Sequence, residues 1–389
     1  MKKILLLSLI MLICISIVAT FSLAGCKTTA STTTAAAETT AAAETTKAAE
    51  TTTTSTTTTS TAKEYQIGYI TRLAVPWWVI CDEGFKAAAS KYNFKPVIYD
   101  PPKLTVEDQV RVLQTWTSSK LDGIFVAPND PAAPIDAINA AIDAGIPVLC
   151  GYGVDSPDSK RLLFIGYDPY NLGVAMAKGL LALLKNAGKN PPGKVTYHTG
   201  GMASTEDTAS WDGFRKTIEA AGYTAVEPLL DGGDAAKAIS QASQAISIYP
   251  DLVGMLGYYD YTGPALGKAV TDAGKIGKIV VQADGFIGEM IPYMESGAIG
   301  ATIDLVQYDG SYKAGEILYK LAQGGKENWD KVLKEYQPDY PNNKKIMMNV
   351  GWLTYKKLDV QPWPEISWIK TLDEYKNDYP EVWKIVGGK

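Results

Sequence analysis

Two adjacent tryptophans, Trp77 and Trp78, follow Arg72 and Pro76 in the stretch IGYITRLAVPWW, residues 67–78. Indole faces cover C–H surface and a guanidinium donates several hydrogen bonds, so this group could hold a small polar ligand with an apolar face. A second apolar run ends in Asp284-Gly285, where a carboxylate could accept hydrogen bonds from hydroxyls. Asn129 and Asp130 follow the run IFVAP, Tyr152 stands between Gly151 and Gly153, and Tyr259 precedes Asp260-Tyr261. Tyr152 and Tyr259 are expected at the rim of such a site. Each candidate has a plainer alternative. The tryptophans could be plain core packing, Arg72 could be a solvated charge, Asp130 could cap the helix after Pro131, the tyrosines could pack under loops, and Asp284 could close a strand-to-helix turn.

Catalytic chemistry has little to rest on. No His/Cys cluster has metal-ligand spacing. Gly200-Gly201 and Asp231-Gly232-Gly233-Asp234 lack the Lys-Ser/Thr of a phosphate loop. His198 is the single histidine, has no recognisable nucleophile partner, and is expected as a satisfied strand-end residue. No catalytic residue, metal or cofactor is assigned, and a secreted enzyme acting on a small polar substrate remains an alternative.

The elements that must position the candidates alternate between strand and helix. Apolar runs at 67–70, 96–99, 121–128 and 146–150 read as strands. Helical stripes separate them, such as Val106, Val110 and Leu113, or Ile135, Ile138 and Ile142. A second unit repeats the pattern, with helices expected over 168–185 and 211–221, strands at 194–199, 252–258 and 278–283, and a Gly-rich polar loop at 200–207. Alternation of this kind predicts α/β architecture with parallel sheets wound on both faces. Ligands in such sheets bind beyond the carboxyl ends of the strands. The body from residue 63 exceeds what one core usually supports, which predicts two lobes.

The chain opens with Lys2-Lys3, an apolar core over 4–18 and Leu23-Ala24-Gly25-Cys26, the layout of a signal peptide ending in a lipobox with Cys26 lipidated. Residues 27–62, nearly all Thr, Ala, Ser and Glu, have no large apolar side chain and are expected to form a disordered tether. Net charge is -5 with no basic block, which argues against nucleic acid. Cys81 and Cys150 could pair but are read as buried free thiols.

IGYI with PWW, LDGIFVAPND, AAIDAGIPVL, FIGYDPYNLG, and GKIVVQADG with IGATID together resemble the periplasmic sugar-binding proteins of ABC importers, in their ribose-binding (type I) branch. The resemblance runs from about residue 66 to 314 and resumes near 346. It implies two Rossmann-like, doubly wound lobes joined by a three-crossing hinge, with crossings near 166–170, 283–286 and 304–307. The implied division is 63–167 plus 307–345 for the first lobe and 168–306 plus 346–389 for the second lobe and its aromatic-rich tail. The implied protein is a monomeric, lipid-anchored, extracytoplasmic receptor. It closes on a monosaccharide or similar small polyol and delivers it to a permease; a chemoreceptor or sensor kinase is the alternative recipient. The resemblance puts Trp78 in the stacking place, with Trp77 its neighbour, and Asp284 on sugar hydroxyls. Elsewhere the sequence departs from the pattern. Tyr152-Gly153 replace an Asp-Arg pair, Tyr259 replaces an asparagine, Leu305 replaces a glutamine, and only Thr208 and Ser210 lie near a second-lobe arginine place. Arg72 is expected to supply a cation from a different loop.

Overall fold

The structure, a computed structural model, describes residues 63–103 and 105–387. The signal peptide, Cys26 and the Thr/Ala-rich stretch lie outside the described residues. The run after Gln66 is wholly buried and forms β1 (Gln66–Ile70). Pro76 then begins α1 (Pro76–Tyr92), where its fixed φ suits the first helical turn. In chain order follow β2 (Lys95–Tyr99), α2 (Val106–Ser118), β3 (Gly123–Val126), α3 (Ile135–Asp143), β4 (Val148–Gly151) and β5 (Leu163–Gly166). These five strands lie parallel in the order β2-β1-β3-β4-β5.

The second sheet begins after α4 (Pro169–Asn186), which Asp168 caps by accepting the Asn171 N–H. It is built with β6 (Lys194–Thr199), α5 (Thr205–Ala220), β7 (Thr224–Ala225), β8 (Leu229–Leu230), α6 (Ala235–Ile248), β9 (Leu252–Gly257), α7 (Thr262–Asp272), β10 (Val280–Asp284), α8 (Ile291–Ser296) and β11 (Ala301–Asp304). The chain then returns: α9 (Gln307–Gly324) packs on α1 and β3, and α10 (Trp329–Tyr336) adds Trp329 and Leu333 to the first core. Strand β12 (Lys345–Met347) pairs parallel with β5. Strand β13 (Val350–Thr354) lies antiparallel to β11, and β14 (Ile366–Thr371) lies parallel to β13. The chain ends its described course in α11 (Leu372–Asp378) and α12 (Pro380–Ile385).

Two sheets, each flanked by helices, give the two-lobed α/β form. The second sheet is parallel except for its β11–β13 pair. The chain crosses between sheets at 166–169, 304–307 and 347–350. The crossing expected near 283–286 is not one: β10 and β11 pair with each other, and α8 between them packs on α7. Apolar runs identify strands but carry no label for the sheet they join. For the same reason the segment from 346, assigned by the resemblance to the second lobe, is divided between β12 in the first sheet and β13 in the second.

The tail forms the edge of the second sheet and braces the hinge. Tyr379 donates to Asp309 at 3.1 Å, Tyr375 hydrogen-bonds Asp304, and Lys370 lies over the Trp368 and Tyr379 rings at 4.7 and 4.6 Å. Cys81 and Cys150 are buried and free, and burial pushes the Cys150 thiol up to about 12.

Helices α1 and α9 meet where Gly84 faces the Tyr308 carbonyl so closely that a Cβ would collide with it. Gly84→Ala should therefore lower the melting temperature by roughly 3–10 °C, as overpacking of a tight contact does. A thermal melt within a degree of the unmodified protein would show that the helices yield instead.

Candidate functional site

The C-terminal tips of β1, β3, β4, β6, β9 and β10 carry nearly all the residues singled out from the sequence. Gln109 on α2 fastens two of these tips: its amide donates to the Thr71 and Ala127 carbonyls at 2.8 Å and accepts the Asn129 N–H at 2.9 Å. Arg72 projects from there. Its Nε donates to Asn129 Oδ1 at 3.2 Å, and its Nη1 lies 3.5 Å from Glu206 Oε2 on α5. Among the described residues, this is the one ion pair that joins the two lobes. Glu206 is buried and also accepts the Tyr167 hydroxyl at 2.8 Å.

Glu206 was invisible as a site residue because 200–207 reads as a loop. The helix expected from 211 starts instead at Thr205. Ser204 accepts the Asp207 N–H and Asp207 returns a bond to Ser204, a capping box that adds a turn and a half. The Ser-x-x-Asp spacing was the available signal. Glu206 and Asp207 thereby enter the cleft, where Thr208 and Ser210 were expected to stand nearest. Asp207 accepts the Tyr259 hydroxyl at 2.5 Å.

Asp284 ends β10 and is only 2% exposed. It accepts the backbone N–H groups of Tyr259 and Gly285, yet its Oδ1 has no partner in the protein. Burial first, then the neighbouring charges of Glu206 and Asp260, push its proton affinity well above the ordinary carboxyl range. The Tyr197 hydroxyl, fully buried and within electrostatic reach of Asp284, likewise has no partner. Trp77 comes from the other lobe. It packs against the cores of both lobes, and the Cβ position of Gly285 lies 3.3 Å from its Cδ1.

Several placements differ from expectation. Trp78, 7% exposed, packs in the first core, and it is Trp77 that approaches Gly285, next to Asp284. Tyr152 is not at a rim. At φ 68° its backbone is left-handed, and its ring turns inward against Trp77 and Trp78, 4% exposed. Its hydroxyl donates to the Gln307 carbonyl at 3.0 Å and meets Ser311 Oγ. Tyr259, also left-handed at φ 82°, is 38% exposed. Asp130 accepts the Ala132 and Ala133 N–H groups at 2.8 Å and so serves its own turn. Asn129 is spent on Arg72 and the Thr105 carbonyl. His198 is buried with Nε2 on Thr196 Oγ1 at 3.0 Å, but its Nδ1 has no partner, contrary to the satisfied residue expected. Burial lowers its pKa to about 3, so it is neutral. Gln307, two residues past Leu305, has a buried amide oxygen without a partner.

A separate cavity of 740 Å³ lies between the first turns of α1, residues 287–289 and residues 385–387; Trp78, Asp82, Asp100 and Glu289 line it. Asp82 is buried, its Oδ1 has no partner, and burial followed by the charge of Asp100 raises its pKa from 3.8 to about 8.

A family model described as periplasmic binding protein domain matches residues 69–327. A curated D-ribose/D-allose-binding protein from Pseudomonas aeruginosa is 26% identical over 204 residues, which are 50% of this chain and 61% of that protein. The chain thus spans about three fifths of that relative's length. Among solved structures, the sugar-binding protein of a sugar ABC transporter from Bacillus halodurans is 25% identical with a TM-score of 0.61, covering 67% of this chain and 88% of that one. A solute-binding protein from Burkholderia graminis, solved with D-arabinose, is 24% identical with a TM-score of 0.62 over 75% of this chain and 96% of that one; at this identity it speaks for the fold alone. By their descriptions these relatives are binding proteins, not enzymes.

The Asp82 carboxyl yields a pH test. Its native pKa of about 8 lies above the unfolded value, so the folded state holds the proton more tightly. Stability on this account is greatest at low pH and is lost as pH rises from about 4 to about 8. Asp82→Asn removes the penalty, so its melting temperature relative to the unmodified protein should climb between pH 5 and pH 8. A difference that stays constant over that range would refute the assignment.

Proposed function

We propose a function from one premise: the chain belongs to the periplasmic binding protein family, in its ribose-like type I sugar-binding group. In this reading the protein works outside the cytoplasm, captures a monosaccharide or similar small polyol between its lobes, and delivers it to the permease of an ABC importer. The observation that carries the reading is that Asp284 Oδ1 and the Tyr197 hydroxyl, within electrostatic reach of each other, are both buried without protein partners, and that the Trp77 indole approaches Gly285 next to Asp284. A buried polar atom left alone is costly, and a hydroxyl-bearing ring would satisfy both. The name of the Pseudomonas aeruginosa relative supports a pentose or hexose.

The energetics are of the right size. Hydrogen bonds to charged groups contribute roughly 1.5–3 kcal/mol each, and micromolar affinity corresponds to about 8 kcal/mol. Asp284, Arg72 and the face of Trp77 can supply that once the entropy of association is subtracted. Arg72 meets Glu206 across the lobes, which supports a ligand-bound form held closed by this pair; its difference in shape from an open form is what a permease would read.

Calorimetric titration with a panel of pentoses, hexoses and alditols should find a binder below millimolar Kd. Trp77→Ala and Asp284→Asn should each weaken it by about tenfold or more, about 1.4 kcal/mol, with little change in the far-ultraviolet spectrum. Undiminished affinity in both variants would move the site elsewhere.

We further propose that Cys26 carries the lipid that holds the protein on the membrane, supported by the small residues before it in Leu23-Ala24-Gly25-Cys26. Cys26→Ser should then shift the protein from the membrane pellet to the supernatant. Retention of the variant in the pellet would exclude this anchor.

A further inference from the structure

We infer that the ligand of this cleft carries a positive charge beside its hydroxyls, as an amino sugar or an aminated polyol does; the inference rests on the carbohydrate reading above. The charge balance of the cleft motivates it. Glu206 and Asp260 both lie within electrostatic reach of Asp284, so three carboxyl groups stand in the region of the start of α5, the loop after β9 and the end of β10. Asp207 stands beside them, already engaged by the Tyr259 and Ser204 hydroxyls at 2.5 and 2.7 Å. Against these groups the first lobe offers Arg72, whose guanidinium is shared between Asn129 and one oxygen of Glu206 at 3.5 Å. Gly153 leaves room for the Glu206 carboxylate, which a Cβ there would have to push aside.

Two groups show where the missing charge belongs. Asp284 Oδ1 and the Tyr197 hydroxyl are buried, have no partner, and lie within electrostatic reach of each other. A neutral hydroxyl could bond to Asp284 but would do nothing to offset the negative charge of Glu206 and Asp260 that raises its proton affinity. An ammonium group would donate charge-assisted hydrogen bonds to the same oxygens and remove the repulsion. The aromatic surface suits it as well. Trp77 and the Asp260 Cβ both approach the Cβ position of Gly285, at 3.3 and 3.5 Å, so an indole and an acidic residue come together next to Asp284. An indole face attracts a cation as well as a C–H surface.

Calorimetry on the full-length protein near neutral pH would test this with matched pairs: D-glucose and D-glucosamine, D-galactose and D-galactosamine, D-glucitol and 1-amino-1-deoxy-D-glucitol. At least one aminated member should bind about tenfold or more tightly than its neutral partner. Glu206→Gln and Asp284→Asn should each narrow that ratio to below about threefold, with a thermal melt confirming that each variant is folded. If neutral members bind as tightly as their aminated partners, or more tightly, the inference fails and the carbohydrate reading stands. If no member of any pair binds, both fall together.

Discussion

Desolvation of a carboxylate governs the cleft. Asp284 sits at the end of β10 with only backbone N–H groups for partners, among charges of its own sign. Such a group is unfavourable unless something else enters to satisfy it, because an unpaired charge in low dielectric loses far more hydration than two amide bonds return. The surrounding architecture makes sense as a means of holding this carboxylate in place and bringing complementary groups to it. Strand β10 is central in its sheet, flanked by β9 and β11, so the tip cannot retreat toward solvent. Arg72 and Trp77 arrive from the opposite lobe, which links their approach to Asp284 with the relative position of the two bodies.

That link runs through three chain crossings, and the tail adds a fourth tie that is not a crossing. Asp304, at the second crossing, is buried, accepts the Val306 N–H at 2.7 Å, and hydrogen-bonds Tyr375. Burial raises its pKa to about 6, and the tyrosine opposes the shift. Asp309 is held one turn later by Tyr379. On the other side of the hinge, Tyr152 reaches the Gln307 carbonyl and Ser311. The first turn of α9 is therefore gripped both by the first lobe and by the C-terminal helices of the second. The aromatic richness of the tail, which has no evident purpose in the sequence, serves this grip and the Trp352 contact in which its indole donates to Gln282 at 3.0 Å.

Much of the frame was legible before the structure, because apolar runs with polar ends announce both the strands and the tips where ligands gather. Asp284-Gly285, Arg72 and the tryptophan pair were singled out on that logic, and the first and last of the expected crossings lie where connections leave a sheet. What escaped was whatever depends on long-range placement or local backbone hand. Glu206 lay in a glycine-rich stretch whose capping box turned loop into helix. Tyr152 was given to the rim because a tyrosine between glycines reads as exposed; a left-handed φ points it inward. Trp77 and Trp78 have the same chemistry one residue apart, and only the angle of α1 decides which of them approaches Gly285. The sheet membership of β10, β11 and β12 rests on pairings between segments far apart in the chain.

Val306 stands at the middle of the second crossing in the left-handed region, at φ 51°. For a β-branched side chain that conformation costs on the order of 1–3 kcal/mol. On the proposed reading, the balance of open and closed forms is sensitive to energies of this size wherever the strain differs between them. Drift at a residue that touches no ligand could thus retune affinity over one or two orders of magnitude while recognition chemistry stays untouched. A lineage adapting to scarcer nutrient would have in this one backbone kink a dial separate from the lock.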